Sequence, residues 1–339
     1  MGFDRRRSYA LPFPGEHRVP ALISRFSVIA LAPSMIETSI LVLTKNEVHN
    51  IGPCLEAIYS QRNVGGLEVI VVDSSSTDAT LEIARAFPVR VETIPAASFH
   101  HARTRNFAAS LAQGEYLVFL AADALPASPD WLSSMISNFS DPGVAAVYGR
   151  HLPKPGSTLE RQDALDAVYG EQKVVKDPRN DAGFGYRYYH FSTVNAALRR
   201  TTWQSTPFPE DVKVFEDLAI AKRILEQGGK IVYEPQAAVY HSHNHSTSGL
   251  FKRYFDAGVI WKQLDIWNRQ VQASMLRDMG KLLRKKFGRL EGDGRRGSRK
   301  VRGSVGQDLA KAAGLFLGLH ERYLPLVLKR RWSAFHLFE

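Results

Sequence analysis

Three short runs in the first 125 residues are apolar almost throughout, and each stops at a hydroxyl or a carboxylate: SILVLT at 39–44, LEVIVVD at 67–73 and YLVFLAAD at 116–123. Runs this short and this uniformly apolar predict strands buried on both faces, not helices. Helical patterns lie between them. One runs from Ile51 to Ser60 after the polar turn TKNE, a second is LEIARAF after the capping cluster SSSTDAT, and a third follows the loop FHHARTRN with Phe107, Ala108 and Leu111 apolar. VRVETI at 89–94 adds a further strand. Strands apolar throughout, alternating with helices, predict an α/β chain built on a mostly parallel sheet with helices on both faces.

Such sheets hold ligands outside the carboxyl ends of their strands. That places Asp73 and Asp123 at a candidate site, although strand-end acids also serve as turn and helix caps. Downstream, Trp131 to Phe139 reads as an amphipathic helix, VAAVYGR at 144–150 as a strand, and Phe215 to Gln227 as a helix ended by Gly228-Gly229. KIVYEP and AVYHSHNHS read as two more strands, the second presenting His241, His243 and His245 on one face by period-two alternation. The run FGYRYYHF at 184–191 suits either buried core or a sugar-binding wall.

The charge is concentrated at one end. Residues 271–339 carry 16 Lys/Arg against 6 Asp/Glu, whereas residues 1–270 balance, so the whole net charge of +10 belongs to the tail. A polyanionic partner follows, and the aliphatic content of the tail favours an anionic membrane surface over nucleic acid. The apolar stretch Phe26 to Ala32 is about a third of the roughly 20 residues a membrane span needs. Cys54 is the only cysteine, so no intrachain disulfide forms, and a cytoplasmic setting is expected. No glycine-rich phosphate loop is present, which argues against P-loop and dinucleotide enzymes.

Candidate chemistry gathers on acids and imidazoles. Asp123 with the alternating histidines offers oxygen and nitrogen ligands suited to Mg²⁺ or Mn²⁺, and such an ion neutralises a diphosphate leaving group. Glu216 and Asp217 open a helix, where the dipole alone also favours acids. Arg103 and Arg105 present guanidinium forks that match phosphate, or a solvated helix face.

The segments SILVLTKNEVHNIGPCLEAIYSQ, VIVVDSSSTDATLEIA, HARTRNFAASLAQGEYLVFLAADALP, AAVYGR, FEDLAIAKRILEQGGKIVYEP and AVYHSHNHS, in this order and spacing, resemble the inverting glycosyltransferases of family 2. The likeness spans about residues 38–260. Within that family the H-x-R-T-R-N loop, D-A-L-P, Y-G-R, Y-H-S-H-N and the terminal RYLPLVLKRRWSAF are most similar to bacterial rhamnosyltransferases. The resemblance implies the GT-A nucleotide-sugar-binding fold, a Rossmann-like sheet. It divides the chain into an N-terminal extension (1–37), a catalytic domain (38–260) and a basic, partly amphipathic helical region (261–339).

By the same resemblance Asp217 is the general base, with Glu216 beside it. Thr44, Glu47, Asp73, Ser75, Arg105 and Asp123 bind the donor. Asp123 is the surviving acid of a metal-binding D-x-D, completed by His241 or His243, while Ala121 replaces the first acid. The implied reaction is inverting transfer of L-rhamnose from dTDP-L-rhamnose to a glycan or lipid-linked saccharide in cell-surface polysaccharide synthesis. The expected setting is peripheral, at the inner face of the plasma membrane, with no nucleic-acid partner. The rival readings are a catalytically silent sugar-nucleotide-binding scaffold and a family 2 transferase using another nucleotide sugar.

Overall fold

A computed structural model of the chain describes residues 36–157, 162, 165, 168–180, 186–268, 271, 273, 277 and 294–339, with the backbone alone for 294–304. The expected N-terminal extension lies almost wholly outside these residues. The first half alternates as β1 (Ile36–Thr44), α1 (Ile51–Tyr59), β2 (Gly66–Asp73), α2 (Thr80–Arg85), β3 (Arg90–Thr93), α3 (His101–Leu111) and β4 (Tyr116–Ala121). There follow β5 (Leu125–Pro126), α4 (Trp131–Ile136), β6 (Val144–Leu152), β7 (Val174–Lys176), α5 (Tyr186–Tyr189), β8 (Asn195–Arg199) and α6 (Arg200–Ser205). The chain continues through α7 (Glu216–Glu226), β9 (Lys230–Tyr240), α8 (Thr247–Gln263), α9 (Gly294–Leu319) and α10 (Leu326–Trp332).

The strands form one sheet in the order β3-β2-β1-β4-β8-β6-β9-β5, with β7 beside β9. The β3-β2-β1-β4 half is parallel throughout. Its strands are apolar on both sides because both sides are covered: Ile40 and Val42 of β1 face α1 and α4, while Leu41 packs with the α3 and α7 side. In β4, Val118 and Leu120 face one layer, Leu117 and Phe119 the other. Fully burying one such side chain is worth about 1.5–3 kcal/mol, and the buried polar residues of these strands, Thr38, Ser39, Thr44 and Asp73, are confined to the strand ends.

Chain direction changes at β8, which enters antiparallel between β4 and β6. Leu120 of β4 pairs with Asn195, so the start of β8 meets the carboxyl end of β4 and delivers Thr193 to that edge. Asn195 is fully buried and fully used: its amide nitrogen donates to the Ala237 carbonyl (2.8 Å) and its oxygen accepts from the Trp131 indole (2.9 Å).

Residues 230–240, expected as two strands, are one. Between Glu234 and Val239 the register against β6 slips, and the extra residues bulge around Pro235. Proline has no N–H to give a ladder and is accommodated at such a bulge. Gly149 of the Y-G-R motif makes room for it, since a Cβ there would lie 1.8 Å from the Ala237 carbonyl oxygen. The strand ends at Tyr240, so His241, His243 and His245 stand on a loop and not on a strand face.

In FGYRYYHF the described part resolves towards core. Tyr189 and Phe191 are buried in the cluster that also contains Tyr148, Tyr169 and Tyr233. The boundary expected at residue 260 falls inside α8, and α9 packs directly along that helix. The two meet nearly backbone to backbone: a Cβ on Gly314 would stand 2.3 Å from the Phe251 carbonyl oxygen, one on Gly318 2.0 Å from that of Phe255, and one on Gly258 2.4 Å from that of Leu315. Among the described residues no helix is long and apolar enough to cross a membrane.

Candidate active site

The carboxyl ends of β1 and β4 flank the point where the chain order reverses, because β1 leads to β2 on one side and pairs with β4 on the other. A cleft of about 360 Å³ opens there, within the range usual for small-molecule sites. Thr44 lines it from the end of β1, Lys45 and Glu47 from the loop that follows, Ala121 to Asp123 from the end of β4, His101 and Arg105 from α3, and Thr193 from the approach to β8. Two buried polar atoms of residues on this wall, Thr44 Oγ1 and Arg105 Nε, make no hydrogen bond among the described residues. Buried polar atoms are rarely left so.

On one side of the cleft stands the Asp123 cluster. Asp123 Oδ2 lies 3.6 Å from His241 Nε2 and 3.2 Å from His243 Nε2, and the two imidazole nitrogens are 3.1 Å apart. Ligands at 2.0–2.1 Å in neighbouring octahedral positions stand about 3 Å from one another, so these three atoms fit a shared divalent ion. His151 of β6 packs edge-on against His241 at 5.3 Å and fixes the root of the loop. The strand-face argument brings the histidines together for the wrong reason. They converge because the loop folds back over the end of β4, held where Ser242 Oγ accepts from the Lys154 N–H (3.0 Å) and meets Ser157 Oγ (2.6 Å).

Lys154 itself reaches in, with Nζ 3.3 Å from Asp123 Oδ2. Burial raises the Asp123 pKa, but the positive surroundings of His241, Lys154 and His243 outweigh it and hold the carboxyl below its ordinary value. Lys154 escapes a sequence reading. It lies in the proline-broken stretch LPKPG, and no periodicity marks it.

On the other side stands the Arg105 group. Arg105 Nη1 pairs with Glu216 Oε1 at 2.9 Å, both side chains nearly buried, and also donates to the His101 carbonyl (3.1 Å). Glu216 and Asp217 occupy the first turn of α7, entered through Phe215 in the left-handed region at φ 62°. A non-glycine residue there costs about 1–3 kcal/mol and persists only where its surroundings hold it. Asp217 Oδ1 accepts from the Leu218 N–H (2.8 Å), and the Thr193 N–H also bonds the carboxylate. Burial first, then the Glu216 charge, push the Asp217 pKa up to about 7, with Arg105 and the two N–H groups opposing. Burial also lowers the pKa of His101.

Residues 39–204 match the family described as Glycosyl transferase family 2. The chain is 33% identical over 219 residues to the O-antigen chain rhamnosyltransferase RfbN of Salmonella typhimurium, covering 62% of this chain and 69% of that one. The chain belongs to glycosyltransferase family 2. It is also 36% identical over 205 residues to the O-antigen chain rhamnosyltransferase WbaN of Salmonella anatum, covering 58% of this chain and 65% of that relative. Among solved structures it is similar to the mannosyltransferase PcManGT from Pyrobaculum calidifontis in complex with GDP-Man and Mn²⁺, at a TM-score of 0.53 and 20% identity over 91% of this chain and 88% of that one. Staphylococcus aureus TarS gives the same TM-score at 16% identity, over 85% and 82%. At these identities the structural likeness establishes the GT-A-like architecture.

Within this family 2 chain the expected site residues divide into two groups. Thr44, Glu47, Arg105 and Asp123 line the cleft, and Glu216 and Asp217 sit directly behind Arg105 and Thr193. Asp73 and Ser75 lie outside the lining. Asp73 is fully buried, accepting from the Ser76 N–H (2.9 Å) and the Ser76 hydroxyl, so it builds the β2–α2 turn. Ser75, at φ 58°, donates to the Ile94 carbonyl (2.8 Å), and its neighbour Ser74 is the residue on the cleft wall. Arg103 turns away to Glu210 (3.4 Å).

Proposed function

We propose that this family 2 enzyme transfers L-rhamnose from dTDP-L-rhamnose, with inversion, to a glycan or lipid-linked saccharide in cell-surface polysaccharide synthesis. The observation that carries the reading is a pair of unlike acid groups, Asp123 lining the cleft and Asp217 directly behind its wall. Asp123 stands with two imidazoles and a lysine, and Asp217, partly buried, lies beside a carboxylate that an arginine already occupies. The donor assignment rests on the two Salmonella relatives named as rhamnosyltransferases.

The division of labour follows from these surroundings. Asp123, His241 and His243 would hold Mg²⁺ or Mn²⁺, which supplies Lewis-acid neutralisation of the diphosphate leaving group. Thr44 and Arg105 would meet the donor on the cleft wall, and Glu47, whose carboxylate accepts from the Asn50 amide (2.6 Å), would shape the nucleotide loop. Asp217 takes the proton of the acceptor hydroxyl as its oxygen bonds to the anomeric carbon and the bond from that carbon to the diphosphate breaks. A carboxylate whose pKa lies near 7 is a stronger base than an ordinary one, and general-base assistance of this kind contributes roughly 10²–10⁴-fold. Glu216 is spent on Arg105, which leaves Asp217 as the base.

The C-terminal region would hold the enzyme at the inner face of the plasma membrane from the cytoplasm. Leu326 and Val327 on α10 are 50% and 76% exposed, beside Lys329, Arg330 and Arg331. Basic residues near anionic lipid are worth about 1 kcal/mol each. Flotation with phosphatidylglycerol vesicles tests this, and no binding at low salt would end it.

Incubation of the purified protein with a panel of nucleotide sugars, reading released nucleotide with and without saccharide acceptors, tests the donor. Turnover with dTDP-L-rhamnose alone of the panel is expected. Preference for another nucleotide sugar would keep the family and remove the donor assignment. Binding without turnover on any acceptor would favour the silent scaffold.

A further inference from the structure

The end of the chain returns to the turn that carries the acids. Asp256 of α8 is fully buried, and its Oδ2 accepts from the backbone N–H groups of Ala334 (2.7 Å) and Phe335 (2.9 Å). Lys213 donates from Nζ to the carbonyl oxygens of His336 (3.0 Å) and Glu339 (3.4 Å). Held in this way, the Phe335 ring stands edge-on to Phe215 at 6.3 Å and to His101 at 6.5 Å, with the Arg253 guanidinium 5.0 Å from its centre. Phe335 and Leu337 close a small apolar cluster with Val212, Val214, Ala219 and Ile260.

The two rings that Phe335 touches belong to the two arms of the site. His101 lines the cleft and opens the helix that carries Arg105, while Phe215 is the left-handed residue immediately before Glu216 and Asp217. Such a backbone conformation needs outside support. Aromatic edge contacts of this kind are worth about 0.5–1.5 kcal/mol each beyond the area they bury, comparable with the lower end of the strain they oppose.

We infer that Phe335 is a positioning residue for the transfer reaction: the C-terminal turn, latched by Asp256, wedges its ring between His101 and Phe215 and thereby fixes the Phe215–Asp217 turn against the cleft. The inference rests on the reading of Asp217 as general base. It gives the terminal W-S-A-F segment a task at the active site, apart from any contact the basic helix makes with a surface. The charged groups that face Asp217 are Glu216 and Arg105, and neither is removed by a change at Phe335.

The test compares Phe335→Ala, Phe335→Leu and Asp217→Asn in the full chain, measuring kcat, donor KM and the pH profile of kcat. Phe335→Ala is expected to lower kcat about tenfold or more, because misplacement of a reacting group is costly, with donor KM nearly unchanged. It should also move the midpoint of the kcat profile to lower pH, since water reaches the carboxyl. Phe335→Leu, which keeps apolar cover, should recover most of both. An unshifted profile in Phe335→Ala, or a loss shared equally by KM, overturns the inference. If Phe335→Ala does not fold, Lys213→Met, which loosens the hold on the C-terminal turn, carries the same comparison, and a wild-type profile in it overturns the inference. Wild-type turnover in Asp217→Asn would instead remove the base assignment, and the inference with it.

Discussion

The ammonium of Lys154 and the carboxylate of Asp123 sit 3.3 Å apart at the mouth of the cleft, so the acid offered to a divalent ion already has a cation beside it. Removing that charge should tighten metal binding. Lys154→Met is expected to lower the Mn²⁺ dissociation constant about tenfold, a change of about 1.4 kcal/mol, read by electron paramagnetic resonance without substrate. Asp123→Ala should abolish binding in the same titration. Unchanged affinity in Lys154→Met would mean that the lysine swings clear of the ion at no cost.

Asp217 ties activity to pH in one direction and stability in the other. Its carboxyl is raised to about 7 in the folded chain, so the folded state favours the neutral form. The resulting stability is fully present below the unfolded pKa near 3.9 and is lost as pH rises through about 7. Turnover, which needs the carboxylate, should rise over the same window. Asp217→Asn is expected to lose about 10²–10⁴ in kcat while melting a few degrees higher than wild type at pH 8 and equally at pH 3.5. Calorimetry at the two pH values checks the sign.

Arg105 and Glu216 form a nearly buried pair, and breaking it from one side leaves an uncompensated charge. Arg105→Met is expected to cost about 3–5 kcal/mol of stability. Arg105→Met combined with Glu216→Gln should recover most of that loss by urea unfolding, yet still bind nucleotide sugar weakly. Recovery of donor affinity as well would show that Arg105 acts only as a partner for Glu216.

Gly149→Ala places a methyl where the Ala237 carbonyl oxygen and the Asn195 amide stand at 1.8 and 2.2 Å. The β9 bulge must open, so an overpacking cost of about 1–3 kcal/mol or more is expected. The bulge feeds the loop bearing His241, so Mn²⁺ affinity should fall as well. Thermal melting and the metal titration on one preparation separate the two effects.

The parallel half of the sheet was legible because strands covered on both faces are apolar along their middles, as in VIVV at 69–72 and YLVFLA at 116–121. The position of Asp123 followed from the same rule. The antiparallel strand β8 was not legible: NAALR is short, ends in a base and carries no alternation. Pro235 looked like the break between two strands because a proline removes a ladder donor, whereas the structure absorbs it in a bulge made possible by Gly149, 86 residues earlier. Asp73 accepts from Ser76 and so helps to build its own turn, a role compatible with the base-binding one that its strand-end position suggests. Lys154 and Phe335 reach the site through tertiary contacts alone, and no local pattern announces either.

The seam between α8 and α9 closes to backbone contact at three points, because Gly258, Gly314 and Gly318 set carbonyls almost directly against the facing helix. A side chain at any of the three positions has to part the two helices, so α9 keeps a single register along α8. The helix that supplies Asp256 to the C-terminal turn is thereby clamped along its length, and the turn that carries Phe335 starts from a fixed base.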